Sequence, residues 1–178
     1  MRKRSFLAVA IIAALAAFPV QALEIPTSAQ QDNRVRFVSY QPYNITRIVG
    51  TIRSSVQVEF APDEEIAHVA LGNTVAWEVA PAGHILFLKP RENQPATNIS
   101  VVTTRRDGSK RSYQMELVVR DGSVDAGQNT YFYVKYRYPA DEAERRRLED
   151  EAKKRAAEAG YADQVLGIHE QYGPRNWR

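Results

Sequence analysis

The chain has 178 residues, no cysteine, and 24 Lys+Arg against 21 Asp+Glu. A hydrophobic fraction of 44% excludes a disordered chain, and the length is ample for a core held by packing alone, without disulfides or a structural metal. Three of the bases, Arg2, Lys3 and Arg4, lie in the first 22 residues, which hold no acid; the remainder is charge-neutral. Neutrality argues against a nucleic-acid binder, whose affinity is dominated by excess Lys and Arg.

The start reads as an export signal. Behind the basic tip comes an uncharged stretch, Phe6 to Phe18, then Pro19-Val20-Gln21-Ala22. The stretch suits a signal-peptide core and falls short of the ~18 residues of a membrane span. Small residues at Val20 and Ala22 place cleavage between Ala22 and Leu23. With no cysteine to lipidate, membrane attachment would come through a partner rather than a direct anchor. Residues 23–33 form an N-terminal arm.

From 34 to 138 the sequence predicts an all-β domain, because short β-type runs recur between turn signals. Alternation is clearest in three places: Val56/Val58/Phe60, Val75/Trp77/Val79 and Tyr113/Met115/Leu117/Val119 each point one way while their neighbours point the other. Period two with one apolar face means half-buried strands on a common core. Further strands are expected at 35–40, 45–52, 66–71, 85–89, 98–104 and 130–138. Ile85-Leu86-Phe87-Leu88 is apolar on both faces and reads as a central strand. Asp107-Gly108 between two β-runs predicts a hairpin, since glycine accepts the positive φ of such turns. About nine strands over this length match an immunoglobulin-like β-sandwich.

At Pro139 the character changes. Pro139-Ala140-Asp141-Glu142 is a helix start, with proline in the first turn and acids at the positive end of the dipole. Charges then pair at i,i+4: Asp141/Arg145, Glu142/Arg146, Glu149/Lys153, Asp150/Lys154 and Glu151/Arg155. Leu148 is the only large apolar residue there, so this is a solvated linker helix over 139–160, with Gly160 as its C-cap. Residues 161–178 read as a linker or the start of a missing C-terminal domain, too short to fold alone.

Reactive chemistry is sparse. His68, His84 and His169 form no HxH or HxxxH pair, and without cysteine a zinc site would need distant residues to converge. Asp63-Glu64-Glu65 lacks the alternating ligands of a calcium loop and reads as a solvated turn. No GxSxG and no phosphate loop occurs. No catalytic residue, metal or cofactor is expected. The remaining feature is 131–138, where alternation sets Phe132, Val134, Tyr136 and Tyr138 on one face and Tyr131, Tyr133, Lys135 and Arg137 on the other. Tyrosine and arginine are enriched at interfaces, which makes this second face a possible partner surface.

Several stretches together resemble the TrbG/CagX family, the VirB-type outer-membrane core-complex subunit of type IV secretion systems. They are Asp32-Asn33-Arg34-Val35-Arg36-Phe37-Val38-Ser39-Tyr40, Phe60-Ala61-Pro62-Asp63-Glu64-Glu65-Ile66, Trp77-Glu78-Val79, Leu86-Phe87-Leu88-Lys89-Pro90, Thr97 to Thr104, and Val134-Lys135-Tyr136-Arg137-Tyr138-Pro139. Asn176-Trp177 looks like the opening of the family's C-terminal domain. The resemblance implies a periplasmic, non-catalytic subunit, associated with the outer membrane through partners. Those partners would be copies of itself in a ring, a membrane-bridging core subunit, and a small outer-membrane lipoprotein met through the C-terminal domain. The rival readings are a periplasmic carbohydrate- or ligand-binding sandwich, with Trp77, Tyr131 and Tyr133 stacking sugars, and a secreted hydrolase using His68 or His84.

Overall fold

A computed structural model describes residues 23–125 and 129–171; the expected leader, with its cut after Ala22, and Asn176-Trp177 lie outside them. The described chain is eleven strands in two sheets and one helix: β1 Leu23–Glu24, β2 Thr27–Ser28, β3 Val35–Ser39, β4 Ile45–Thr51, β5 Val56–Glu59, β6 Glu64–Leu71, β7 Trp77–Ala82, β8 Ile85–Pro90, β9 Thr97–Arg105, β10 Lys110–Arg120, β11 Tyr133–Arg137 and α1 Pro139–Gln171. The first sheet runs β1-β4-β10-β9-β6 and the second β2-β3-β11-β5-β8-β7. The all-β sandwich followed by a charged helix is as expected.

Each sheet buries one face. In β10, Tyr113, Met115, Leu117 and Val119 turn inward as the alternation predicts, against Val56, Val58, Leu86, Leu88, Val134 and Tyr136 of the second sheet. Trp77 lies over Gly50: a Cβ there would come within 2.8 Å of the indole and 2.6 Å of Pro90. The β9–β10 hairpin turns at Gly108, φ +82°.

The arm at 23–28 does more than precede the domain. It adds β1 alongside β4 in one sheet and β2 alongside β3 in the other, so one short segment covers an edge of each sheet. Three strand readings need correction. Val75 is exposed, because Asn73 Oδ1 accepts from the Val75 and Ala76 amides in a turn and the strand begins only at Trp77. The Ile85–Leu88 run is an interior strand, paired with β5 and with the edge strand β7, but it is not apolar-buried on both faces. Leu86 and Leu88 are buried while Phe87 is 38% exposed, so β8 is one-sided. Tyr131 belongs to the core. The segment before β11 is not strand: the Tyr131 amide donates to Val49 of the first sheet and Phe132 to Arg34, so alternation starts only at Tyr133. The Tyr131 ring is buried beneath the Arg36 guanidinium, 4.7 Å away.

The helix also differs. It continues through Gly160 to Gln171, so Gly160 is an interior residue and no cap. At 33 residues and 1.5 Å per residue it reaches about 50 Å. Glu142–Arg146 and Glu151–Arg155 pair as expected, whereas Glu149 meets Arg145 and Asp150 meets Lys153.

Candidate functional site

Two places concentrate polar chemistry: the outer face of the second sheet, and the end of the sandwich where the helix leaves.

On the outer face, β11 lies parallel to both β3 and β5, which sets Lys135 beside Phe37 and Glu59, and Tyr133 beside Val35 and Gln57. The next strand continues the row, with Phe87 opposite Gln57 and Ile85 opposite Glu59. Of the four residues expected to form a partner surface, Tyr133, Lys135 and Arg137 therefore share this face, and Tyr131 does not. Lys135 Nζ donates to Glu59 Oε1 at 2.8 Å, and the Tyr133 hydroxyl donates to Glu59 Oε2. Burial pushes the Glu59 carboxyl up, but these two donors outweigh it and hold it below the usual range. Burial and then the Glu59 hydrogen bond push the Tyr133 phenol well above its ordinary value. Arg137 stacks over the Phe37 ring at 3.9 Å. With Ile85 and Phe87, the face is an aromatic and aliphatic surface with an ion pair at its centre. The chemistry open to it is contact.

The same parallel pairings bring the ends of β3, β5 and β11 together, and Glu64 at the start of β6 lies opposite Arg105 at the end of β9. Here the expectation of a solvated turn at 63–65 fails at Glu64 alone, since Asp63 lies in a turn and Glu65 is exposed. Glu64 is buried and accepts from Thr103 Oγ1 at 2.6 Å, Arg111 Nη1 at 2.7 Å and the Tyr113 hydroxyl at 2.8 Å. Arg111 Nη2 donates to Asp141 in the first turn of α1. Arg105 reaches Asp141 at 3.5 Å and Asp63 at 3.2 Å. Asp141 is thus turned toward the sandwich and away from the expected partner Arg145. Aromatic rings enclose the ions: Arg111 lies 4.6 Å from the Tyr138 ring centre and 5.0 Å from that of Tyr40, and the Tyr113 and Tyr138 hydroxyls are 2.8 Å apart. Burial opposes the Arg111 charge, but the Asp141 and Glu64 carboxylates outweigh it and raise its pKa further. Burial, with Tyr138 and Glu64 beside it, pushes the Tyr113 phenol far up. Sequence reasoning missed this cluster because Thr103, Arg111 and Tyr113 lie 39 to 49 residues from Glu64. The one available signal was a double acid, Glu64-Glu65, heading a strand.

Among the described residues, no group of three or more His, Asp or Glu is placed to hold a metal ion. Trp77, proposed to stack sugars, is 2% exposed and packs on Gly50, and Tyr131 is equally enclosed. The carbohydrate reading loses two of its three residues.

The sequence pattern of the CagX family, described as conjugal transfer protein, matches residues 33–177. The chain belongs to that family. It is 56% identical over 179 residues to the type IV secretion system protein virB9 of Bartonella henselae, covering 99% of this chain and 62% of the relative. To the virB9 of Bartonella quintana it is 59% identical over 159 residues, 89% of this chain and 55% of the relative. With the protein virB9 of Agrobacterium fabrum it shares 30% over 177 residues, 96% and 60%. The chain thus spans about three-fifths of the length of these curated relatives. The first immunoglobulin-like domain of human CD48 antigen aligns at 9% identity and a TM-score of 0.33, over 49% of this chain and 91% of that domain. A score that low adds nothing to the strand order. No helix among the described residues is long and apolar enough to cross a membrane.

Proposed function

We propose that this chain is a structural, non-catalytic subunit of the periplasmic and outer-membrane core complex of a type IV secretion, or conjugal transfer, system. In this reading it joins copies of itself in a ring and meets a membrane-bridging core subunit. A small outer-membrane lipoprotein would be met through a second domain of the kind for which the longer relatives have room. The observation that carries the reading is the 56% identity with a named secretion-system protein over 99% of this chain.

The outer face of the second sheet is the proposed partner surface, with Tyr133, Lys135 and Arg137 as its spine and Phe87 as its exposed anchor. Aromatic residues and arginine dominate interface energetics, and this face presents both. Periplasmic location is supported by the three-part leader at 1–22, which also supports processing between Ala22 and Leu23. Deletion of the gene tests the proposal: transfer should be abolished while pilin and transport ATPases are still made, and the intact gene should restore it. Normal transfer in the deletion strain would end the proposal.

A further inference from the structure

The helix leaves the sandwich without a linker. Arg137 ends β11, Tyr138 is the single intervening residue, and Pro139 is already helical. Tyr138 accepts the Glu142 amide at 3.0 Å, which closes the first turn on the last residue of the β-domain. Across this joint Arg111 is shared by two carboxylates from different bodies, Glu64 on the sandwich and Asp141 on the helix, and Arg105 adds a longer contact to Asp141 at 3.5 Å. The three side chains differ sharply in exposure, at 0% for Glu64, 10% for Arg111 and 38% for Asp141.

We infer that the Glu64–Arg111–Asp141 bridge is a latch that fixes the direction of the 33-residue helix, making it a lever arm of the sandwich, and that the latch opens on the Asp141 side. The exposure gradient gives the side. Removing Asp141 leaves Arg111 bonded to Glu64 and stacked between Tyr40 and Tyr138, so no charge is stranded. Removing Glu64 would take away the buried acceptor that Arg111, Thr103 and Tyr113 share, inside the sandwich itself. The sandwich half of the latch is therefore permanent and the helix half releasable. Pairs further along the helix, such as Arg145–Glu149 with side chains 69% and 57% exposed, cannot do this, because both partners ride on the same body. The inference concerns the joint alone and stands whatever the chain assembles with.

The absence of native cysteine makes the test direct. Spin labels at Lys89→Cys on β8 and Lys154→Cys on α1, in the full chain, report the helix–sandwich distance by pulsed electron resonance. The parent should give one narrow distance distribution. Asp141→Asn should lose that single narrow peak while near-ultraviolet circular dichroism from the buried tyrosines stays native. Arg111→Lys should broaden it, because one ammonium cannot hold both carboxylates in the fork geometry of a guanidinium and only the longer Arg105–Asp141 contact then spans the joint. Glu149→Gln should leave it unchanged. A broad distribution in the parent, or a narrow one retained in Asp141→Asn, overturns the latch. If Asp141→Asn instead abolishes the native tyrosine signal, the claim that the helix half is releasable is overturned.

Discussion

The two outer faces of the sandwich are built from the same backbone geometry and end up chemically opposite. On the first sheet, neighbouring strands satisfy one another: Arg47 Nε donates to Glu116 Oε2 at 2.6 Å, and the Ser100 hydroxyl to Gln114 Oε1 at 2.7 Å. Polar ladders of this kind finish a surface that faces water. The second sheet carries Phe37, Ile85, Phe87 and Tyr133; the Tyr133 hydroxyl joins its Glu59–Lys135 pair, and Glu78 at the β7 edge pairs with Arg91. A face that sets exposed aromatic and aliphatic side chains around arginine has the composition of protein interfaces. The proposal built on this difference gives the first face to solvent and the second to a partner.

The largest effect should come from a charge placed in that aromatic row. Phe87→Glu, made in the native gene, should abolish transfer while the protein accumulates normally, since Phe87 lies outside the buried core at 38% exposure. Gln114→Glu on the first sheet should leave transfer intact. Equal loss from both would erase the distinction between the faces. Next, Gly50→Ala strikes the packing that holds the two sheets in register. The added methyl meets Trp77 and Pro90, and unfolding in urea should show a loss of about 1–3 kcal/mol.

A smaller and more selective effect comes from pH. Glu59 is held below its ordinary pKa of 4.5 in the folded state, so it contributes stability above that value and the contribution is lost as pH falls through the lowered one. Tyr133 is raised above its ordinary 10.0, so its contribution is present below pH 10 and is lost as the solution becomes more basic. The tie on the second face is therefore intact between these limits. In Glu59→Gln the acid-side loss of stability should shrink, as measured by thermal unfolding across the range. The smallest effect belongs to the first face. Arg47→Ala should cost at most about 1 kcal/mol, as part-exposed pairs do, and a larger loss would mean that this face is not independent solvent surface.

Much of this architecture was legible in the sequence because local rules agree with the fold. Val56/Val58/Phe60 and Tyr113 to Val119 alternate and are buried as they alternate. Asp107-Gly108 turns, and Pro139 opens the helix. What escaped reading was set by contacts distant in sequence. Tyr131 lies on the apparent outer face of a regular alternation, but its amide bonds to Val49 and breaks the strand before Tyr133. Gly160 looks like a stop signal, yet the helix passes through it, because an interior glycine costs only about 1 kcal/mol against a long run of favourable residues. Glu64 reads as solvated until Thr103, Arg111 and Tyr113 arrive from other strands to bury it. Of the four residues that period two set on one face, Tyr133, Lys135 and Arg137 do share an outer sheet face. Phe87 and Ile85 were misassigned to a doubly buried strand, because a run apolar on both faces looks the same whether its outer side meets the core or a partner.

The central claim is that the outer face of the second sheet is where this subunit is held. A photoreactive amino acid placed at Phe87, and separately at Gln114, in cells carrying the complete secretion apparatus tests it most directly. The account predicts a covalent adduct from position 87 to a second copy or another subunit of the apparatus, formed only when the apparatus is assembled, and none from position 114. An adduct from 114 with silence at 87 would contradict it.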